Sequence, residues 1–143
     1  MKVHFSFLLF IFIATDIFAD MKRLDYANIV IDYRTGLLWQ DDNSCLSAIK
    51  EIKEAKLNCA KLSLSGISDG WRIPTRKELS TIVDSKKSKP SIKSPFVNCA
   101  NANYLSTNTM QNSGTFWVID FNYGTEGMTV SNMPVYLRCV RGN

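Results

Sequence analysis

The sequence is poor in histidine. Its 143 residues contain one, His4, which lies in an N-terminal segment that we expect to be removed. Most Ser-His, Cys-His and zinc-hydrolase mechanisms need imidazole as a base or a ligand, so this absence excludes them. The chain also lacks a CxxC pair, a Gly-rich phosphate loop and EF-hand spacing. We therefore expect no catalytic residue, no metal and no cofactor.

Long apolar runs are also missing, apart from a short one near the N-terminus. Lys2 is followed by an apolar run over residues 3–13 and then by the small residue Ala19. This pattern is typical of a secretory signal peptide, and the run is shorter than the roughly 20 residues of a membrane span. We predict cleavage after Ala19, export to the periplasm or the medium, and no membrane span afterwards. A retained N-terminal anchor is the alternative.

The remaining residues are enough for one domain. We place a polar lead at residues 20–28 and the domain at residues 29–143, with a net charge of +4 for the whole chain. Short runs rich in β-branched and aromatic residues alternate with turn signals and predict strands. These strands are expected at residues 29–33, 37–40, 103–107, 115–121, 128–130 and 135–141.

Two helices are predicted in the first half. Apolar residues recur every three to four positions over residues 45–62, which builds one apolar stripe on a helix. Thr75 and Glu78 have capping-box spacing, which predicts a second helix over residues 76–83. Helices in the first half and strands in the second indicate an α+β domain, with two helices packed on a short-stranded antiparallel sheet.

The four cysteines of an exported chain predict two disulfides. If Cys45 and Cys59 share the helix at residues 45–62, they lie about 21 Å apart at 1.5 Å per residue. A disulfide tolerates about 7 Å between Cα atoms, so each must bond to Cys99 or Cys139. Cys139 lies in an apolar run suited to docking under the helix at Cys59, which leaves Cys45 for Cys99.

The stretches around the three tryptophans, one of which is followed by a proline, are interpreted as scaffold. Trp71 alternates with Ile73 in an extended segment, and Pro74 turns the chain into the second helix. We expect Arg72 to bond backbone carbonyls with its guanidinium. Together the residues assigned structural roles are Trp39, Trp71, Arg72, Pro74, Thr75, Glu78, Trp117 and Arg138.

The strongest candidates for ligand-binding residues are basic. Four lysines cluster around Pro90 in a segment without periodicity, which we call the basic loop (residues 86–93). Such a loop would attract sulfated or phosphorylated polymers through its field and counterion release, although it could also be only a solvated loop. The candidate ligand-binding residues are Lys86, Lys87, Lys89 and Lys93. Lysines of the first helix (Lys50, Lys53 and Lys61) could extend this surface, and Tyr104, Tyr123 and Tyr136 are candidates for exposed aromatic contacts.

Five blocks follow one another along nearly the whole predicted domain. They are DYRTGLLWQD at residues 32–41, LNCAKL at 57–62, GWRIPTRKEL at 70–79, TFWVIDFNYG at 115–124 and LRCVRG at 137–142. In this order they resemble the Lcl C-terminal domain family, a domain of unknown function in exported bacterial proteins. The resemblance implies a C-type-lectin-like fold and an extracellular binding role, because members form terminal modules of adhesins that recognise polyanionic glycans.

The same resemblance bears on the cysteines. Cys59 and Cys139 match the family pattern and so support their pairing, whereas Cys45 and Cys99 do not belong to it. We therefore expect a non-enzymatic exported binding module, adhesin-like, that recognises anionic glycans or envelope polymers and no nucleic acid. The alternatives are a structural or adaptor subunit of an envelope assembly that binds a protein partner, and an enzyme of the formylglycine-generating type, which would need reactive thiols.

Overall fold

The computed structural model describes residues 19–110 and 113–142. All but the last residue of the predicted signal peptide lies outside the described residues. Within them the chain forms ten strands and two short helices, α1 (Lys53–Ala60) and α2 (Arg76–Thr81). The strands are β1 (Met21–Leu24), β2 (Ile29–Asp32), β3 (Leu37–Gln40), β4 (Ala48–Ile49), β5 (Trp71–Arg72), β6 (Asn103–Thr109), β7 (Thr115–Asp120), β8 (Thr125–Val130), β9 (Val135–Tyr136) and β10 (Val140–Arg141).

These strands form two five-stranded sheets, so the domain is mostly β. The first sheet has the order β1-β2-β3-β10-β5 and the second has the order β4-β9-β6-β7-β8. The prediction of an α+β, C-type-lectin-like domain with two helices on one sheet and two disulfides is therefore wrong. In the described part of the chain, neither helix is long and apolar enough to cross a membrane.

The largest local error concerns residues 45–62, where one continuous helix was predicted. The chain instead makes a 3-10 turn at Asn43–Leu46, then β4, and enters α1 only at Lys53. Ala48 and Ile49 pair with β9, about ninety residues further along the chain. Backbone pairing requires an extended chain, and this non-local pairing overrides the three-to-four spacing that predicted a helix.

The first sheet is built around Trp39. Its neighbours across the strands are Val30 on one side and Val140 on the other, and all three side chains are completely buried. The turn between β2 and β3 has Gly36 at a φ of +75°, and its N–H donates to the Asp32 carbonyl at 2.8 Å. This is the hairpin that the sequence predicted. The segment predicted as a polar lead contains β1, which pairs along β2.

The second sheet separates two hydrophobic clusters. Tyr104 lies opposite Ile119 and both belong to one cluster, whereas Leu105 lies opposite Val118 and both belong to the other. Successive residues of a strand point to opposite faces, so the centre of this sheet is buried on both sides. Helix α2 contributes to the first cluster and α1 to the second.

One of the two predicted disulfides is confirmed. Cys59 of α1 is bonded to Cys139, with 5.5 Å between their Cα atoms. The predicted Cys45–Cys99 bond is wrong, because both are free thiols. The Cys45 thiol approaches the Gln40 carbonyl at 3.7 Å and is placed by the 3-10 turn, which the assumed helix did not include.

Residues 70–79 connect the first sheet to α2. Trp71 is buried and its indole N–H donates to the Ile67 carbonyl at 2.9 Å. The Thr75 side chain accepts from the Glu78 amide, and the Glu78 carboxylate accepts from the Thr75 amide, so the capping box is present. Arg72 differs from the prediction: it donates mainly to the two carboxylate oxygens of Glu78, at 2.8 and 2.7 Å. This pairing keeps the Glu78 pKa below its usual value.

Candidate functional site

The basic loop follows α2, and hydrogen bonds from its backbone amides hold it against neighbouring segments. The amides of Lys89 and Ser91 donate to the carbonyls of Asn122 and Phe121 at 2.9 and 2.7 Å. The Lys93 amide donates to the carbonyl of Ile82, also at 2.9 Å. These bonds join the loop to the end of α2 and to the turn after β7, so its side chains project from a fixed backbone.

The four predicted lysines do not converge on one point. Lys87 and Lys93 line a cleft of about 630 Å³, whereas Lys86 and Lys89 are not part of its lining. The Lys87 ammonium donates to the Ser94 hydroxyl at 2.9 Å, and the Lys89 ammonium lies 5.9 Å from the centre of the Tyr123 ring. Among the described residues, Lys86, Lys89 and Lys93 have no carboxylate within 4.0 Å.

Arg34 is a basic residue of this cleft that the sequence did not suggest. It lies in the hairpin turn between β2 and β3 and lines the cleft together with Lys87 and Lys93. The cleft also contains three carboxylates, and each has a partner. Asp20 lies 3.7 Å from the Arg34 guanidinium, and Asp84 lies 3.8 Å from the Lys87 ammonium. Asp32 accepts from the Arg34 amide at 2.9 Å, and Asp84 accepts from the Lys86 amide at 3.0 Å.

The helix lysines expected to extend the basic loop belong elsewhere. Lys53 and its neighbour Lys56 line a separate groove of about 840 Å³. We call this space the α1 groove; its lining residues are Ile52, Lys53, Lys56, Ala60, Trp71, Arg72, Ile73, Thr75, Leu105, Ser106, Thr107, Phe116 and Ser131. Trp71 therefore has two roles, since it fills the second hydrophobic cluster and forms part of the wall of a groove.

Arg138 and Asp41 form a completely buried ion pair. Arg138 Nη1 lies 2.9 Å from Asp41 Oδ1, and both side chains are completely inaccessible to solvent. The second carboxylate oxygen accepts from Arg23 Nε at 2.7 Å and from the Val97 amide at 3.1 Å. Arg138 also donates to the carbonyls of Gln40 and Asn98, so this centre joins four chain segments, around residues 23, 41, 98 and 138.

The charge of Asp41 is maintained despite its burial. Burial alone would raise the pKa of Asp41, but the charge of Arg138 and the hydrogen bonds from Arg23 and Val97 outweigh it. The Asp41 pKa therefore lies below its ordinary value. The sequence patterns gave Asp41 no individual role. Its role was missed because its partners are 18, 56 and 97 residues away.

Of the two free thiols near this centre, Cys45 is buried and Cys99 is half-buried. Burial raises the pKa of the Cys45 thiol to about 11 and also raises that of Cys99. At neutral pH both are therefore protonated, which makes them weak nucleophiles. Tyr104, predicted as an exposed contact, is completely buried here: its hydroxyl donates to the Cys45 carbonyl at 2.6 Å.

The other predicted aromatic residues have different environments. Trp117 is half-buried, and the guanidinium of Arg76 lies 4.2 Å from its ring centre. Tyr136 is also half-buried and packs against Tyr104, with 5.6 Å between the ring centres. Of the three tyrosines proposed as exposed contacts, Tyr123 has an exposed side chain.

Together these features describe a small, mostly β domain with one disulfide, a buried ion pair, a cleft beside the basic loop and the α1 groove. The sequence model of the family described as the Lcl C-terminal domain matches residues 28–141, which is most of the chain. This protein therefore belongs to the Lcl C-terminal domain family, as the five sequence blocks predicted. No curated protein and no solved structure matches the chain.

Proposed function

We propose that this protein is an exported, non-enzymatic binding module that recognises an anionic glycan or envelope polymer through its basic loop. The observation that carries the proposal is the anchored backbone of residues 86–93. Hydrogen bonds at Lys89, Ser91 and Lys93 attach the loop to two neighbouring segments. Binding would therefore require little ordering of the loop, which lowers its entropic cost. Export rests on the signal-peptide pattern of residues 1–19.

The charges of the loop favour an extended anion over a compact one. Lys87, Lys93 and Arg34 face a shared cleft, while Lys86 and Lys89 are exposed outside it. An anionic chain could contact both groups at once, whereas a single phosphate or sulfate could not. Binding of this kind releases counterions and weakens steeply as salt rises.

The state of the carboxylates in the cleft and of the two free thiols supports the non-enzymatic part of the proposal. The carboxylates of Asp32 and Asp84 in the cleft accept hydrogen bonds from neighbouring backbone amides. The thiols of Cys45 and Cys99 have raised pKa values, which disfavours the thiolate that a formylglycine-generating type of enzyme would use.

Retention on immobilised heparin tests the proposal. Changing Lys86, Lys87, Lys89 and Lys93 together to Ser should move elution to clearly lower salt. The matched control removes four exposed lysines elsewhere (Lys22, Lys50, Lys61 and Lys77) and so has the same net charge. The control should elute close to the unmodified protein. Equal losses in both variants would show that only net charge matters, and unchanged elution of the loop variant would refute the proposal.

A protein-binding adaptor is a second candidate because of the edge of the second sheet. Strand β8 is an edge strand, and its Met128 and Val130 side chains are 52% and 44% exposed. Edge strands are commonly protected by charged residues, especially lysine, or by proline. Strand β8 has no lysine or proline, and its one charged residue, Glu126, pairs with Arg76 at 3.7 Å. A photo-crosslinking residue at position 128 should then trap one reproducible protein in cells, whereas one at Lys77 should not. Recovery of uncrosslinked monomer alone would rule out this adaptor role.

A further inference from the structure

The floor of the α1 groove is hydrophobic. Ile52, Trp71 and Leu105 are buried beneath it, and Ile73 and Phe116 are half-buried, so parts of their surfaces remain accessible. These residues come from the start of α1, from β5 and from the second sheet. The groove volume of about 840 Å³ lies within the range of roughly 300–1,000 Å³ that is usual for small-molecule sites.

Several polar groups around this floor already have partners. The Trp71 indole N–H donates to the Ile67 carbonyl, and the Ser106 hydroxyl donates to the Trp117 carbonyl at 2.8 Å. The Arg72 guanidinium is paired with Glu78. A buried peptide amide without a partner is costly, so the floor suits a hydrocarbon or aromatic body better than a polypeptide backbone.

The charges at the rim have one sign. Lys53 and Lys56 are exposed residues of α1, three positions apart and therefore on neighbouring parts of the helix surface. None of the lining residues of the groove is acidic. Lys53 has a solvent-exposed partner in Glu51 at 2.6 Å, whereas Lys56 has no carboxylate within 4.0 Å in the described part of the chain.

We propose that the α1 groove binds a small anionic amphiphile, with an apolar body over Trp71, Leu105 and Phe116 and an acidic head group at Lys53 and Lys56. The head group is a carboxylate, sulfonate, sulfate or phosphate, since each would pair with an exposed ammonium group. The site is distinct from the basic loop, whose lysines do not line this groove. It is therefore a second binding function, independent of polymer recognition.

Two fluorescent probes separate the two parts of the proposed site. Anilinonaphthalene sulfonate is anionic, and N-phenylnaphthylamine has a similar aromatic body without the charge. Both probes should bind the unmodified protein, and their fluorescence should increase on binding. Changing Lys53 and Lys56 to Ser should weaken binding of the anionic probe roughly three- to tenfold, the size expected for loss of exposed ion pairs. The neutral probe should change less than about twofold.

Matched variants test whether this effect belongs to the groove. Changing Lys50 and Lys61 to Ser removes the same charge from exposed positions that do not line the groove, and should leave both probes unaffected. Ala60→Trp fills the groove from the exposed surface of α1, so it should abolish binding of both probes. Circular dichroism and thermal unfolding of Ala60→Trp check that the domain stays folded.

Four results would overturn the proposal. The first is an equal loss of the anionic probe in the Lys50/Lys61 control, and the second is full probe binding by folded Ala60→Trp. The third is the absence of fluorescence enhancement with either probe. If neither probe binds but an alternating Glu-Leu peptide binds at Lys53 and Lys56, the groove is assigned to polypeptides. The fourth is unchanged binding of the anionic probe after Lys53 and Lys56 are changed to Ser. Heparin retention of Ala60→Trp should stay normal, so failure here is distinguishable from failure of the basic loop.

Discussion

The buried ion pair gives the sharpest stability prediction. Asp41→Asn removes a negative charge from a site where Arg138 is completely buried and 2.9 Å away. The arginine would keep its charge, because it titrates far above neutral pH. Removing one partner of a buried pair usually destabilises a protein by about 3–5 kcal/mol, since the other charge is left uncompensated. We expect a loss of that size from a total that is typically about 5–15 kcal/mol.

Denaturation in urea measures this loss. The midpoint for Asp41→Asn should fall while the slope stays the same, because the surface exposed on unfolding does not change. Asp25→Asn is the matched control: Asp25 also pairs with Arg23, but its side chain is 88% exposed. Exposed pairs contribute about 0–1 kcal/mol, so the control should be nearly neutral.

A double variant separates the ion pair from its surroundings. Arg138→Met should also be strongly destabilising, because it leaves the Asp41 carboxylate with fewer partners. Asp41→Asn combined with Arg138→Met should lose less than the sum of the two single losses, since no unpaired buried charge remains. A loss below about 1 kcal/mol for Asp41→Asn, or strict additivity in the double variant, would refute a stabilising role for this pair.

The dependence on pH has a defined sign. The folded-state pKa of Asp41 lies below its ordinary value of 3.8. At any pH well above 3.8 the carboxylate is ionised in both states, and its stabilising contribution is fully present. As the pH falls below 3.8, the unfolded chain takes up the proton first and this contribution is progressively lost. The stability difference between the unmodified protein and Asp41→Asn should therefore be constant near neutral pH and shrink below pH 3.8.

Three further predictions concern other residues. Replacing Cys59 and Cys139 by Ser should cost about 4–5 kcal/mol in urea denaturation, because the bond closes a loop with a sequence separation of 80; a loss below about 1 kcal/mol would contradict this. Thr75→Ala should cost about 1 kcal/mol through loss of the α2 cap, and Thr75→Ser should retain most of it. Cys45 and Cys99 should react slowly with iodoacetamide at pH 8 in the folded domain and rapidly in urea; fast labelling of the folded protein would show that the thiols are not protected.

The local features of the fold could be predicted because local rules govern them. The β2–β3 hairpin needs a positive φ at Gly36, and the α2 cap needs Thr75 and Glu78 three positions apart. The lysine cluster of the basic loop could also be predicted, because its four members lie within eight residues of one another. One long-range contact was also predicted correctly, the Cys59–Cys139 bond, from the apolar run around Cys139 and with the support of the family blocks.

The candidate sites could be predicted only in part. The lysine cluster was found, but its division between a cleft and the outer surface depends on how residues 86–93 are attached to the turn after β7. Arg34 joins that cleft from a hairpin more than fifty residues earlier. The α1 groove draws its walls from α1, β5, β6 and β7, and no periodic pattern relates those segments.

By itself, the sequence determined the turns, the capped helix α2, the charge of the basic loop and the family of this protein. Tertiary structure decided the fold class, because pairing with β9 turned residues 48 and 49 into a strand and left α1 only eight residues long. It also left Cys45 and Cys99 as free thiols and buried Asp41 against Arg138. One physical reason applies to the fold class, the thiols and the ion pair. Each depends on which distant segments of the chain meet, and the residue pattern of one segment does not encode its partner.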